Sequence, residues 1–169
     1  MRKIILIAHN IRSTHNVGSL LRTADGLGVS KVYFTGYTPY PLQKADTRLP
    51  HIARKLNSQI SKTALGAETS QSWEARENVS ELFDLLKNDN YRIVALEQNK
   101  DSTPMPTYRP PQKLALIIGR EVEGLEPEIL ARCQDIVEIP MFGQKESFNV
   151  VQAGAMALYH FVFYPFRTP

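Results

Sequence analysis

Three short segments of the 169-residue chain hold side chains whose types and spacing suit chemistry on a bound ligand. In Asn16-Val17-Gly18-Ser19-Leu20-Leu21-Arg22-Thr23-Ala24, the residues Val17, Leu20, Leu21 and Ala24, continued by Gly28, fall at helical spacing. At about 100° per residue, Ser19 and Arg22 take the side opposite this apolar stripe. Asn16, just before the predicted helix, suits a bond to backbone N–H groups. By itself Arg22 reads as a solvated surface arginine. In Leu116-Ile117-Ile118-Gly119-Arg120-Glu121-Val122-Glu123-Gly124-Leu125, an apolar run ends at glycine and enters a turn with two carboxylates. Ligands of parallel α/β sheets sit there, beyond the carboxyl ends of strands. In Ile139-Pro140-Met141-Phe142-Gly143-Gln144-Lys145-Glu146-Ser147-Phe148-Asn149-Val150, a strand runs into a Pro- and Gly-containing loop, and Ser147 and Asn149 open a helix with Ser147 as its natural N-cap.

Other chemistries are excluded by type and spacing. There is no G-x-G-x-x-G fingerprint, and no Gly-Lys-Ser/Thr follows a glycine-rich loop. The histidines His9, His15, His51 and His160 are scattered, without metal-ligand spacing. Cys133 is the one cysteine, so neither a disulfide framework nor a Cys-based zinc site is available. No metal is expected.

The elements that must position these segments alternate between strand and helix. Lys3–Ala8 reads as a buried strand, residues 17–27 as a helix closed by Gly28, and Lys31–Thr35 as a second strand. Residues 36–72 are punctuated by Pro and Gly, with a short helix near Ile52–Asn57. Asn78 or Ser80 caps a helix running to Leu86 or Lys87. Tyr91–Glu97 and Lys113–Ile118 are two further apolar strands. Pro127 starts a helix ending near Cys133, Asp135–Ile139 is a fifth strand, and Phe148–Tyr164 is the last helix. This order predicts an α/β domain with a mostly parallel sheet.

Residues 147–166 carry no formal charge, a length that would admit a membrane span. Ser147, Asn149, Gln152 and His160 interrupt the run, so burial against the sheet and a second subunit is the expected fate. The N-terminal apolar run is too short for a signal-peptide core, so a cytoplasmic location is expected. Charge is uneven. Residues 1–60 hold nine Lys or Arg against two acids, a net +7, while the remainder is net −4. A basic third on a near-neutral chain points to an anionic partner, nucleic acid foremost. Arg12, Arg48, Arg54 and Lys55 are its candidate contacts.

In this order and spacing, Asn-x-Gly-x-x-x-Arg-Thr-Ala, Gly-x-Glu-x-x-Gly-Leu and Ile-Pro-Met-x-Gly-x-x-x-Ser-x-Asn-Val resemble the three motifs of the SpoU/TrmH-type RNA 2′-O-methyltransferases of the SPOUT superfamily. Ser61-Lys62-Thr63-Ala64-Leu65-Gly66-Ala67 and Val94-Ala95-Leu96-Glu97 are similar to members of that group as well, so the likeness covers essentially the whole chain. It implies one domain over residues 1–169 without a separate RNA-binding extension, and a C-terminal part threaded into a deep trefoil knot, an exception to the rule against knots. It implies S-adenosylmethionine as cofactor, lined by Leu96, Gly119, Ile139, Met141 and Phe148, and a homodimer with its active site near the subunit interface. Arg22, Asn16, Glu121, Ser147 and Asn149 become the catalytic candidates. The implied reaction is methylation of a ribose 2′-hydroxyl, with tRNA favoured over rRNA as substrate. Departures from the pattern are Arg120, where many members have Asn or Ala, and Phe148 and Val151, where many have Leu and Ser. The alternative reading is a catalytically inactive knotted RNA-binding module. The joint presence of Asn16, Arg22, Ser147 and Asn149 speaks against it, because an inactive copy is free to lose them.

Overall fold

The apolar N-terminal run forms strand β1 (Lys3–His9), and helix α1 follows over Thr14–Gly26 in a computed structural model that describes residues 2–120 and 123–165. The chain continues through β2 (Lys31–Thr35), α2 (Pro50–Ala64), the one-turn α3 (Ala67–Ser70), β3 (Trp73–Arg76), α4 (Val79–Asn88), β4 (Arg92–Leu96) and the two-residue β5 (Thr103–Pro104). After a 3₁₀ turn at Met105–Thr107 come β6 (Lys113–Ile118), α5 (Pro127–Leu130), β7 (Asp135–Glu138) and α6 (Val150–Phe163). The strands form one sheet in the order β3-β2-β1-β6-β4-β7-β5, and each of its pairings is parallel.

Alternation along β1 assigns its two faces. Ile4, Leu6 and Ala8 join α1, α2 and α6 in one core, with Val17, Leu20, Leu21, Ile60, Leu158 and Phe161 at its centre. Ile5 and Ile7 point the other way, onto Leu82, Phe83 and Leu86 of α4 and Ile129 of α5. A sheet buried on both faces explains why its strands read as continuous apolar runs.

The structure moves several predicted boundaries. Helix α1 begins at Thr14, because the Ser13 hydroxyl caps it by accepting from the Asn16 N–H at 3.2 Å; Asn16 therefore lies inside the first turn, not ahead of it. Helix α2 is much longer than the predicted 52–57 segment. Pro50 opens it and Ala53, Ile60 and Ala64 supply its buried stripe, sparse enough to be hidden among polar residues. Asn78 caps α4 as expected, accepting from the Ser80 and Glu81 N–H groups. Strands β3 and β5 were not foreseen, being four and two residues long without an apolar run.

At α6 the cap is Asn149, whose Oδ1 accepts from the Val151 N–H at 2.9 Å, so Ser147 and Phe148 stay in the preceding loop. Arg2 ties the far end of α6 to the body. Its guanidinium donates to the Pro110, Phe161 and Tyr164 carbonyls. Among the described residues, no helix is long and apolar enough to cross a membrane.

Helices α1 and α2 cross at Gly18. A Cβ placed there would lie 2.2 Å from the Ile60 carbonyl oxygen and from Thr63 Oγ1, and 2.9 Å from the Ala64 nitrogen. Two of these atoms are backbone, so the helices themselves must separate. Gly18→Ala is expected to cost about 1–3 kcal/mol as an overpacking change. At roughly 2–4 °C per kcal/mol for a chain of this size, thermal unfolding followed by circular dichroism should show a drop of several degrees. An unchanged midpoint would refute the contact.

Candidate active site

A cavity of about 310 Å³ opens at the carboxyl edge of three neighbouring strands, β6, β4 and β7. Leu96, Ile118 and Glu138 end these strands, and the residues that follow continue the wall with Glu97, Gln98, Gly119, Arg120, Gly124 and Ile139. The loop ahead of α6 contributes Glu146, Ser147 and Phe148, and the first turn of α6 adds Val150 and Ala153. The mixture of aliphatic walls, carboxylates and turn backbone is that of a small-molecule site, and the volume lies in the usual range of about 300–1,000 Å³.

Close packing of two glycines shapes the floor. A Cβ at Gly119 would meet the Gly124 carbonyl carbon and oxygen at 2.8 Å and Leu125 Cδ2 at 2.9 Å. Gly124 itself has φ +68°, a left-handed conformation that favours glycine. The Arg120 N–H donates to the Gly124 carbonyl at 3.3 Å and closes the turn.

Of the residues expected to line a cofactor, Leu96, Gly119, Ile139 and Phe148 are on this wall and Met141 is not. Of the expected catalytic residues, Ser147 is on the wall. Asn149 caps α6, Asn16 sits in the first turn of α1, and Arg22 is exposed on the solvent side of α1 with no hydrogen bond or ion pair among the described residues. Glu121 lies outside the described residues. Helix α1 packs its buried face against α6: Leu20 Cδ2 would lie 3.4 Å from a Cβ at Gly154, the residue after Ala153 of the cavity wall. Glu97, Gln98, Glu138 and Glu146 were not singled out from the sequence. The position of Glu97 at the end of a predicted strand, and of Gln98 directly after it, was the available signal.

The basic candidates divide. Arg12, Arg54 and Lys55 are exposed, Arg12 with its guanidinium 5.9 Å from the Tyr37 ring centre. Arg48 is turned inward. It donates to both oxygens of Asp46, to the Tyr40 and Pro41 carbonyls, and stacks 3.7 Å from the Tyr40 ring centre. The same guanidinium holds the Asp46 carboxyl well below the ordinary carboxylate range. Arg48 therefore closes the loop ahead of α2, with little left to offer a phosphate.

A polar cluster lies behind the Arg120 turn. His9 is buried, with Nδ1 2.8 Å from Thr35 Oγ1. The Asn10 amide, on a residue with φ 57°, lies 3.0 Å from His9 Nε2 and donates to Glu126 at 3.0 Å. Arg120 pairs with the same Glu126 carboxylate. Burial is the main force pushing the His9 pKa down, helped by Arg120 and opposed by Glu126. The folded chain thus resists a proton that the unfolded chain accepts near pH 6.5. Stability from this group is full above that pH and declines as pH falls below it. Between pH 7.5 and 5, His9→Gln should show a shallower fall in Tm than the native chain. Parallel curves would show that His9 does not control this window. Burial likewise pushes the Cys133 thiol up to about 12, which disqualifies it as a nucleophile at neutral pH. Among the described residues no group of three or more His, Cys, Asp or Glu is placed to hold a metal ion.

Residues 3–159 match the model of the SpoU rRNA Methylase family. The chain belongs to that family. SpoU relatives include the tRNA (guanosine(18)-2′-O)-methyltransferase of Aquifex aeolicus, 29% identical over 161 residues, which span 94% of this chain and 68% of the relative. The 23S rRNA (guanosine-2′-O-)-methyltransferase RlmB of Salmonella typhi is also 29% identical, over 95% of this chain but 60% of its own length. Among solved SpoU-like folds, an RNA 2′-O ribose methyltransferase superposes with a TM-score of 0.78 at 27% identity, covering 95% of this chain and 56% of its own. The chain thus spans little more than half to about two thirds of these relatives.

Proposed function

We propose that the protein methylates a ribose 2′-hydroxyl in RNA, with S-adenosylmethionine held in the cavity at the ends of β6, β4 and β7. The observation that carries this reading is the convergence of motif residues Gly119, Ile139, Ser147 and Phe148 with Leu96 on one cavity of cofactor size. The residues present fit the group. Leu96, Ile139 and Phe148 offer apolar walls for a purine, and backbone groups of Gly119, Arg120 and Gly124 and of the 139–148 loop offer its polar partners. Bound there, the sulfonium would supply an electrophilic methyl group.

The chain's own part is orientation and charge. Ser147 lines the cavity wall, and the role assigned to it in this reading is to orient the attacking hydroxyl. Arg22 faces solvent on α1 and lines no part of the cavity, so its place in this reading rests on its position in the first motif. An arginine keeps its proton, so its role is to hold the neighbouring phosphate and stabilise charge growing on the ribose oxygen. Asn149 acts by fixing the start of α6 beside Ser147, and Asn16 and Glu121 by supporting Arg22 and the motif loops. The knotted path and the cytoplasmic location are part of the same reading. So is a homodimer through α6, whose outer face leaves Met156, Tyr159 and Phe163 exposed.

Transfer RNA is placed first as substrate, supported by the Aquifex relative, of which the chain covers more than it does of RlmB. Labelled cofactor incubated with unmodified tRNA and rRNA, followed by nucleoside mapping, should place the methyl on a ribose of tRNA. Label on a base would overturn the reaction class, and label only in rRNA the substrate. Calorimetry in chelator should still show cofactor binding. The exposed basic residues carry the RNA contact. Replacing Arg54 and Lys55 by Gln should flatten the log–log salt dependence of RNA binding by about one to two units. An unchanged slope would remove them from the interface.

A further inference from the structure

Glu97 and Gln98 follow β4, and their side chains reach opposite walls of the cavity, as successive side chains of an extended segment do. Their base is fixed by the Glu97 N–H, which donates to the Val137 carbonyl at 3.0 Å. On one side, Glu97 Oε2 accepts from the Leu125 N–H at 3.0 Å while Oε1 accepts from the Gln98 N–H at 3.0 Å. A Cβ at Gly124 would lie 2.2 Å from that same Oε2. The carboxylate thus seats the Gly124–Leu125 corner in two ways, by a charged hydrogen bond and by filling the space a side chain would need. On the other side, the Gln98 amide donates to the Glu146 carbonyl at 2.8 Å, immediately before Ser147. Among the described residues no other hydrogen bond joins residues 140–148 to the rest of the fold, and Phe142 within them is 98% exposed.

We propose that Glu97 and Gln98 are positioning residues, a two-sided clamp that sets the distance between the Gly124–Leu125 corner and the 140–148 loop and so tunes the cavity for its ligand. The proposal rests on reading the cavity as a cofactor site and adds two residues that the three motifs do not contain. Neither residue needs to touch the reacting atoms. Glu97 acts through Leu125, and Gln98 through the loop that presents Ser147 and Phe148.

The experiment measures S-adenosylhomocysteine binding by calorimetry, together with tryptic cleavage after Lys145. Glu97→Ala should weaken binding by about tenfold or more, the scale of one lost charged hydrogen bond. Glu97→Gln keeps an oxygen for the Leu125 N–H and should recover most of that loss. Gly124→Ala should weaken binding strongly in the native background and much less in Glu97→Ala, because the atom it strikes is then gone. Gln98→Ala should speed cleavage after Lys145 several-fold, and bound ligand should reverse much of that gain. Native affinity in Glu97→Ala, strictly additive effects of Glu97→Ala and Gly124→Ala, or unchanged cleavage in Gln98→Ala would each overturn the clamp. If the native protein binds neither S-adenosylmethionine nor S-adenosylhomocysteine, the cofactor reading fails, and the cleavage assay still decides the Gln98 arm.

Discussion

Replacing Arg22 by alanine is expected to lower the rate of methyl transfer by roughly a hundredfold or more, the scale of losing one oriented charge-stabilising donor. The fold should hardly notice. Arg22 is exposed on α1 and bonds to nothing among the described residues, so a purely structural Arg22→Ala change costs under about 0.5 kcal/mol. Cofactor affinity should also survive, because Arg22 is not on the cavity wall. That combination separates the catalytic role from a surface arginine. Arg22→Lys should restore only part of the rate, since an ammonium lacks the planar fork that engages a phosphate through two N–H groups. Single-turnover transfer, measured beside calorimetric cofactor affinity, is the test. Near-native turnover in Arg22→Ala would remove Arg22 from the mechanism.

The helical spacing that placed Arg22 opposite an apolar stripe was legible because Val17, Leu20, Leu21 and Ala24 are all buried, and the stripe is dense. Strands β1, β2, β4, β6 and β7 were legible for a related reason, since a parallel sheet buried on both faces needs apolar residues at nearly every position. Helix α2 was legible only as the short 52–57 segment, because only Ala53, Ile60 and Ala64 are buried and the remaining residues are half-buried or exposed. The site was legible in its backbone and less so in its side chains. Gly119, Ile139 and Phe148 sit at strand and helix ends, where sequence marks position well. Caps were harder. Ser13 and Asn149 outcompeted Asn16 and Ser147, choices settled by which side-chain oxygen reaches a free N–H and not by residue type. Glu97 and Gln98 carried only the signal of a strand end, because their partners, Leu125 and Glu146, are 28 and 48 residues away. Arg48 shows the converse: composition counted it as free positive charge, while Asp46, two residues earlier, had already claimed it.

Gly119→Ala should sever cofactor binding from folding. A Cβ at this position would press on the Gly124 carbonyl carbon and oxygen at 2.8 Å and on Leu125 Cδ2 at 2.9 Å. The first two are backbone atoms of the turn that lines the cavity, so no rotamer change relieves them. Gly124 cannot yield freely either, being held by the Arg120 N–H on its carbonyl and by Glu97 behind it. The turn must therefore open. Overpacking of this kind costs about 1–3 kcal/mol. Charged against the bound state, that corresponds to a loss of about tenfold to a hundredfold in affinity. The core on either face of the sheet lies below this edge, so circular dichroism should remain native and Tm should fall by only a few degrees. S-adenosylhomocysteine binding by calorimetry is the deciding measurement. A native dissociation constant in Gly119→Ala would show that the turn does not form the ligand's floor, and the cofactor would then have to be sought elsewhere on the carboxyl edge of the sheet.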